Sequence, residues 1–309
     1  MCDAFYALGV GHADRAAWSF CQLVLSGKKF RRISSVWRVG LDLAVGTLSA
    51  VDVVVCVKQI PDPADPGELD VETRTLRRDA KLILDESDSY GVEMALQLVD
   101  SAGEGEVRLV SMVPNSEMSG LRTALAMGAS SAVLVSDEAL AGSDALSTAK
   151  VLAAAIRRGE PDLILAATES SDGYTGTVPV QVAELLGLPS VTFGREIAVA
   201  DGVATVKRQT EAGYDVVTCP LPAVVSVTAG VVEPRYPSFK GIMAAKNKPV
   251  DELGLTDLGI DPTTVGWSGA RQEIVDVVDS AAREAGEIVV DEGDAHERIL
   301  AFMDELKVL

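Results

Sequence analysis

Residues 162–189 read DLILAATESSDGYTGTVPVQVAELLGLP, and the order of their parts sets the fold class. Residues 162–167 form a short apolar run, suited to a strand covered on both faces. A polar segment with two glycines follows, then a helix over about 178–186 that Gly187 and Pro189 close. The polar loop therefore stands at the carboxyl end of a buried strand and opens a helix, where open α/β sheets bind ligands. Gly173 and Gly176 allow close approach of backbone, and Thr175, Thr177 and the free amides at the helix start can hold phosphate oxygens. The segment is neither a GxGxxG nor a Walker motif, and a capped loop without a ligand accounts for the same residues.

The same alternation extends outward in both directions. Residues 53–57 and 107–113 read as strands, as do 132–135. Residues 85–99, with Val92, Leu96 and Val99 at helical spacing, read as a helix. So do 118–127, ended by Gly128, and 145–158. Strand and helix in turn predict a doubly wound, mainly parallel α/β sheet. After Pro189 the pattern changes. Residues 196–199, 204–209 and 214–218 predict an antiparallel extension, joined at Asp201-Gly202 and at Glu211-Ala212-Gly213. Residues 221–228 return to buried-strand character. Beyond Lys248 the chain reads as a thin acidic linker and ends in a helical arm over 294–306, with Ile299, Leu300, Phe302, Met303 and Leu306 on one face. The expected organisation is an extension at 1–50, an α/β domain at 51–248 and a C-terminal linker and arm at 249–309.

Composition excludes several classes. The 309 residues carry a net charge of −19, which repels nucleic acid and anionic lipid. No apolar run reaches membrane-spanning length, so stable membrane insertion is not expected. The four cysteines have no CxxC spacing and fit a reducing cytoplasm, with no metal site expected. Two histidines, His12 and His296, leave little material for a catalytic triad. Residues 1–50 differ in character, with a net +3 against −22 for the remainder, and with two of the three tryptophans. KKFRR follows the short apolar run QLVLSG there, the reverse of a secretory signal. The segment reads as an extension outside the conserved fold, with Val51 as an alternative start, or as an amphipathic arm.

Residues 233–246, EPRYPSFKGIMAAK, form the second informative stretch. Pro234 and Pro237 predict an extended loop that projects Arg235, Tyr236 and Phe239. Gly241 ends that loop in this reading, and a helix follows over 242–248. Aromatic and Arg side chains on a stiff loop suit docking, although a Phe folded back on its own domain fits as well.

In order, VDVVVCVKQIPDP (51–63), LDESDSYGVEMAL (84–96), RTALAMGA (122–129), TESSDGYTGTVPVQVAELLGLP (168–189) and LPAVVSVTAGVVEPRYPSFKGIMAAKNK (221–248) resemble the beta subunit of electron transfer flavoprotein. The resemblance covers roughly residues 51–260. It implies an adenine nucleotide alpha hydrolase-like fold that binds AMP structurally. The matching loop positions are Ala167, Thr168, Glu169, Ser170, Ser171, Asp172, Gly173, Tyr174, Thr175, Gly176, Thr177 and Val178. Cys56 and Met112 would join them, and Asp85, Glu86, Ser87 and Asp88 would close the site. Those acids sit awkwardly beside a phosphate and are expected near the adenosine or to act through backbone groups. The resemblance also implies a heterodimer with an alpha subunit that supplies most of an FAD site. Such a carrier takes electrons from acyl-CoA dehydrogenases of fatty acid oxidation, or from other dehydrogenases. It passes them through a quinone oxidoreductase toward the respiratory chain, without a catalytic acid, base or nucleophile of its own. Arg235, Tyr236, Pro237, Phe239, Ile242 and Met243 occupy the docking positions, with Phe239 as anchor.

Three positions depart from the usual family pattern: Gln209 where some members carry Glu, Ala212 where Gly or an acid is usual, and Asp215 where Glu or Gln is usual. Of these, Gln209 bears on flavin-domain mobility. One alternative is an electron-bifurcating relative, whose second FAD replaces AMP and accepts hydride from NADH. A remote one is a nucleotide sensor of universal-stress type, which needs neither a partner nor the 233–246 loop.

Overall fold

The structure, a computed structural model, describes residues 50–64, 67–79, 81–278, 286, 288, 290–291 and 293–308. The expected extension at 1–50 lies outside the described residues but for Ala50. The described chain begins with strand β1 (Val53–Cys56), a short antiparallel pair β2 (Gln59–Pro61) and β3 (Leu82–Leu84), and helix α1 (Glu86–Ala102). Next come β4 (Val107–Val113), α2 (Ser119–Met127), β5 (Ser131–Ser136), α3 (Ala145–Ile156), β6 (Leu163–Ala167) and α4 (Val178–Leu186). β7 (Ser190–Ala200), β8 (Val203–Thr210), β9 (Gly213–Pro220) and β10 (Ala223–Val227) follow. α5 (Phe239–Ala245), β11 (Val250–Leu253), a single turn α6 (Gly266–Gly269) and α7 (Ala295–Glu305) complete it.

Nine strands form one sheet in the order β11-β5-β4-β1-β6-β10-β7-β8-β9. Pairing is parallel from β11 to β7 and antiparallel from β7 to β9. Every residue of β1, β6 and β10 is buried, which requires cover on both faces. Because side chains alternate along a strand, Val53, Val55, Leu109, Leu163 and Leu165 pack toward α1 and α2. Val54, Cys56, Val110 and Ile164 pack toward α3 and α4. The chain runs from β1 outward through β4 and β5, then returns to place β6 on the other side of β1. This reversal is the topological switch of a doubly wound sheet, and a crevice opens there at the strands' carboxyl ends.

The predicted α/β architecture holds, with four local differences. The strand expected at 196–199 begins at Ser190, pairs parallel with β10, and then bends at an irregularity between Gly194 and Glu196 before meeting β8. β2 and β3 were not expected, since three residues ending in Pro61 give no periodic signal. The segment read as a linker from 249 instead supplies β11, which pairs with β5 and adds the sheet's outer strand, and buries Leu255 and Val265. Finally, Gly241 does not end a loop. Ser238 caps a helix that already includes Phe239, its side chain accepting from the Gly241 amide at 3.0 Å. A Cβ on Gly241 would lie 2.4 Å from the Ala126 carbonyl oxygen, so the glycine serves the close approach of α5 to α2.

Candidate functional site

The carboxyl ends of β1, β4 and β6 open into a cleft of about 1200 Å³. Of the predicted nucleotide residues, it brings together Cys56, Asp88, Met112, Ala167, Thr168, Glu169, Ser170, Asp172, Gly173, Thr175, Gly176 and Val178. Asp85, Glu86, Ser87, Ser171, Tyr174 and Thr177 do not line it.

The position of the acids explains the split. Asp85 is wholly buried and caps α1, accepting from the Ser87 amide at 2.9 Å. Its other oxygen accepts from the Ser171 amide at 2.8 Å. Asp88 accepts from the Lys58 amide at 2.5 Å. These carboxylates therefore fasten the 168–177 loop and the end of β1 to the start of α1, which is structural work through backbone amides. Burial pushes the Asp88 carboxyl well above the usual carboxylate range; the Lys58 amide opposes that and the Asp85 charge adds to it. Burial, with a smaller contribution from Asp88, also pushes the Cys56 thiol up to about 12, so it stays a neutral wall group.

The loop itself turns sharply. The Tyr174 amide donates to the Ser170 carbonyl at 3.0 Å, Tyr174 takes a φ of +49°, and Gly176 takes +64°. Thr177, the first flank of α4, makes no side-chain cap bond, and Pro179 follows at once. No acceptor among the described residues takes the amides of Thr175, Gly176, Thr177 or Val178. Free amides at a helix start, beside threonine hydroxyls and glycines, fit a phosphate group. The walls of the cleft are largely apolar, which fits a flat heterocycle.

Two cations at the cleft were not foreseen. Lys58 Nζ lies 2.5 Å from Asp172 Oδ1 and 3.2 Å from Ser170 Oγ. Arg78 bonds the other Asp172 oxygen and also donates to the Gln59 carbonyl at 3.3 Å. Burial works to raise the Asp172 carboxyl, but Lys58 and then Arg78 outweigh it and hold the group below its usual value. Lys58 lies within the quoted VKQIPDP stretch, so its place just after a buried strand was a usable signal; Arg78 had none. Pro114, Asn115, Gly142 and Trp267 also line the cleft, with residues 272–274 across it. Arg74 donates to the Ile274 and Val275 carbonyls at 3.0 and 2.7 Å, tying that segment to the 67–78 loop. Gly142, at a φ of +80°, lets the Trp267 ring close on it: a Cβ there would lie 2.1 Å from the ring.

The predicted docking residues divide. Tyr236 and Phe239 are 91% and 81% exposed, and Ile242 and Met243 are about half exposed beside them. Pro237 precedes the Ser238 cap. Arg235 is instead occupied within the chain. Its Nε lies 2.7 Å from Glu93 Oε2, and its Nη2 lies 3.1 Å from Glu93 Oε1 and 3.2 Å from Asp100 Oδ2. α5 is fixed to α2 by Arg122, which donates to the Ala245 carbonyl at 2.7 Å, and by Lys248, which donates to the Leu125 and Ala129 carbonyls at 2.9 and 2.6 Å. No helix among the described residues is long and apolar enough to cross a membrane. No metal-binding cluster occurs among the described residues.

Comparison with known proteins bears on the same surfaces. The profile of a family described as "Electron transfer flavoprotein domain" matches residues 73–258. The chain is 38% identical over 264 residues to a protein of Mycobacterium tuberculosis (strain ATCC 25618 / H37Rv) named electron transfer flavoprotein subunit beta, covering 84% of this chain and 99% of that one. It is 32% identical to the subunit of the same name from Megasphaera elsdenii, covering 81% of this chain and 95% of that one. It is also 34% identical to a caffeyl-CoA reductase-Etf complex subunit of Acetobacterium woodii, covering 77% and 91%.

Proposed function

Because this chain belongs to the electron transfer flavoprotein family, matching its beta subunits over most of its length, we propose that it is the beta subunit of a heterodimeric electron carrier. In this reading a cytoplasmic alpha subunit pairs with it and supplies most of the FAD site. The cleft at the ends of β1, β4 and β6 holds AMP as a structural ligand. Phe239 and its neighbours dock reduced dehydrogenases, and a quinone oxidoreductase takes the electrons onward. The observation that carries the reading is the convergence of the 168–178 loop on the cleft, with its unclaimed amides and paired Lys58 and Arg78 cations.

The residues fit a nucleotide by their chemistry. Thr175, Gly176 and Val178 would hold the phosphate, and Cys56 and Met112 would present apolar surface to the base. Bound FAD supplies the electron chemistry, and this chain's residues bind, orient and exclude water.

A second reading has one observation in its favour. A volume of about 1200 Å³ exceeds what a mononucleotide occupies and lies above the range of about 300–1,000 Å³ usual for small-ligand clefts. The cleft would then take a second FAD, as in a bifurcating carrier. Co-expression with the cognate alpha subunit, acid extraction and mass spectrometry of the released nucleotides separates these readings. FAD and AMP in equal amount is the expected result. FAD alone, at two per heterodimer, selects the second reading, and release of no adenine nucleotide but FAD at one per heterodimer overturns the AMP site.

A further inference from the structure

A carboxylate almost shut off from water needs a reason to be there. The Glu93 side chain is 5% exposed, in the first half of α1. Its charge is met by Arg235, which reaches it with three bonds: Nε to Oε2 at 2.7 Å, Nη2 to Oε1 at 3.1 Å, and the Arg235 amide to Oε2 at 3.2 Å. Gln97 Nε2 donates to Oε1 at 2.9 Å and fixes the rotamer. Asp100, a further turn on, bonds the outer edge of the guanidinium. Glu93, Gln97 and Asp100 recur at helical spacing and form one stripe on α1. A planar fork held at two nitrogens and its own amide fixes direction as well as position. Stability alone does not call for the pair, since apolar residues of like volume often replace buried ion pairs at no loss of stability.

The pair is connected to a particular segment. Arg235 begins the Arg235-Tyr236-Pro237-Ser238-Phe239 run. At the other end, Ser238 caps α5, and Gly241 seats α5 against the Ala126 carbonyl of α2. The run is thus held at one end to α1 and at the other to α2. Tyr236 and Phe239, the two most exposed aromatic side chains among the described residues, project between those supports. We propose that Glu93, through Arg235, is a positioning residue that pre-orders this exposed aromatic pair for the partner dehydrogenase. The inference rests on the docking role proposed above and adds the device that sets the loop's shape before contact. A segment ordered in advance loses less freedom on binding, so the pair acts on affinity and leaves the flavin chemistry alone.

The test uses the complete heterodimer with its bound cofactors and an acyl-CoA dehydrogenase reduced by its own acyl-CoA. Flavin reduction is followed as heterodimer concentration is varied. Glu93→Gln keeps the shape and removes the charge that holds the fork. Its KM for the heterodimer should rise about tenfold, the weight of one charge-assisted hydrogen bond. kcat at saturation, flavin content and reduction by dithionite should stay within about twofold. Arg235→Lys, at a half-exposed position that tolerates change, should raise KM similarly because an ammonium cannot make the fork. Glu93→Gln combined with Phe239→Ala should raise KM less than the product of the two single effects, since placing an absent anchor has no value. If Phe239→Ala leaves KM unchanged, the docking role itself is refuted, and this inference with it. If Phe239→Ala raises KM while Glu93→Gln and Arg235→Lys do not, the docking role stands and the positioning role of Glu93 is overturned. Should Glu93→Gln not fold, Arg235→Lys alone decides the question.

Discussion

At the scale of single residues, Asp172 has the most to lose. Its side chain is 6% exposed and it bonds both Lys58 and Arg78, each about a third or more exposed. Replacing it by Asn leaves two cations facing each other without their counter-ion. Because both cations keep water, the loss should be about 1–2 kcal/mol, below the cost of breaking a fully buried pair. The pH dependence follows from the sign of the shift. The Asp172 carboxyl is held below its usual value in the folded chain, so its contribution is present above the unfolded value near pH 4 and disappears as pH falls through the folded one. Urea denaturation should show wild type more stable than Asp172→Asn at pH 7 and the gap narrowing as pH falls below about 4. A gap that widens toward acid pH would mean that the pair does not stabilise the fold. Lys58 and Arg78 also explain why the site was only half legible. The loop at 168–178 announces itself through a local pattern of glycine, threonine and serine. Lys58 and Arg78 lie 114 and 94 residues before Asp172, and only the fold brings them to it.

At the scale of elements, α5 shows what a linear reading mistakes. Gly241 reads as the end of a loop ahead of a helix, because glycine costs a helix interior about 1 kcal/mol relative to alanine. Its value lies in three dimensions: it admits the Ala126 carbonyl into the space a methyl group would fill. Gly241→Ala should therefore destabilise despite its better helix propensity, by about 1–3 kcal/mol as α5 is forced from α2. Ser238→Ala should cost about 1 kcal/mol through the lost cap. Thermal unfolding of both variants checks this, and a Gly241→Ala chain more stable than wild type would sink the packing argument. The same contrast divides the rest of the fold. β1, β6 and β10 were readable because strands buried on both faces must be continuously apolar, and the helices between them because their apolar residues recur at helical spacing. β11 was not, because its Asp251 and Glu252 are exposed at the sheet's edge and give it the composition of a linker. The beginning of β7 was missed for a different reason. The strand passes from a parallel to an antiparallel neighbour, and only the second partnership leaves a hairpin signature in the sequence.

At the scale of the whole molecule, the described surface is divided between a closed body and apolar parts without a partner. α7 buries none of its residues, yet Ile299, Leu300, Phe302 and Leu306 make an apolar face about half exposed. β9 is the far edge of the sheet, with Tyr214 and Val216 exposed and one side of its backbone unpaired. An acidic chain of net charge −19 does not keep such surfaces open for solubility, and they suit the alpha subunit of the proposed heterodimer. The cleft draws none of its walls from α7 or β9. Deleting residues 294–309 should therefore leave the cleft's affinity for an adenine nucleotide within about twofold while weakening association with the alpha subunit. Covering several large apolar side chains is worth about 1.5–3 kcal/mol each, so association should fall by at least tenfold. Removing residues 1–50 should do neither, because their charge and composition break from the remainder at the position where the family pattern begins. Co-purification of tagged alpha subunit with each truncated chain, followed by titration of the purified complex with AMP, measures both effects. An arm deletion that assembles as well as the full chain would place the α7 face outside the heterodimer contact. Loss of assembly on removing 1–50 would make that segment part of the working molecule.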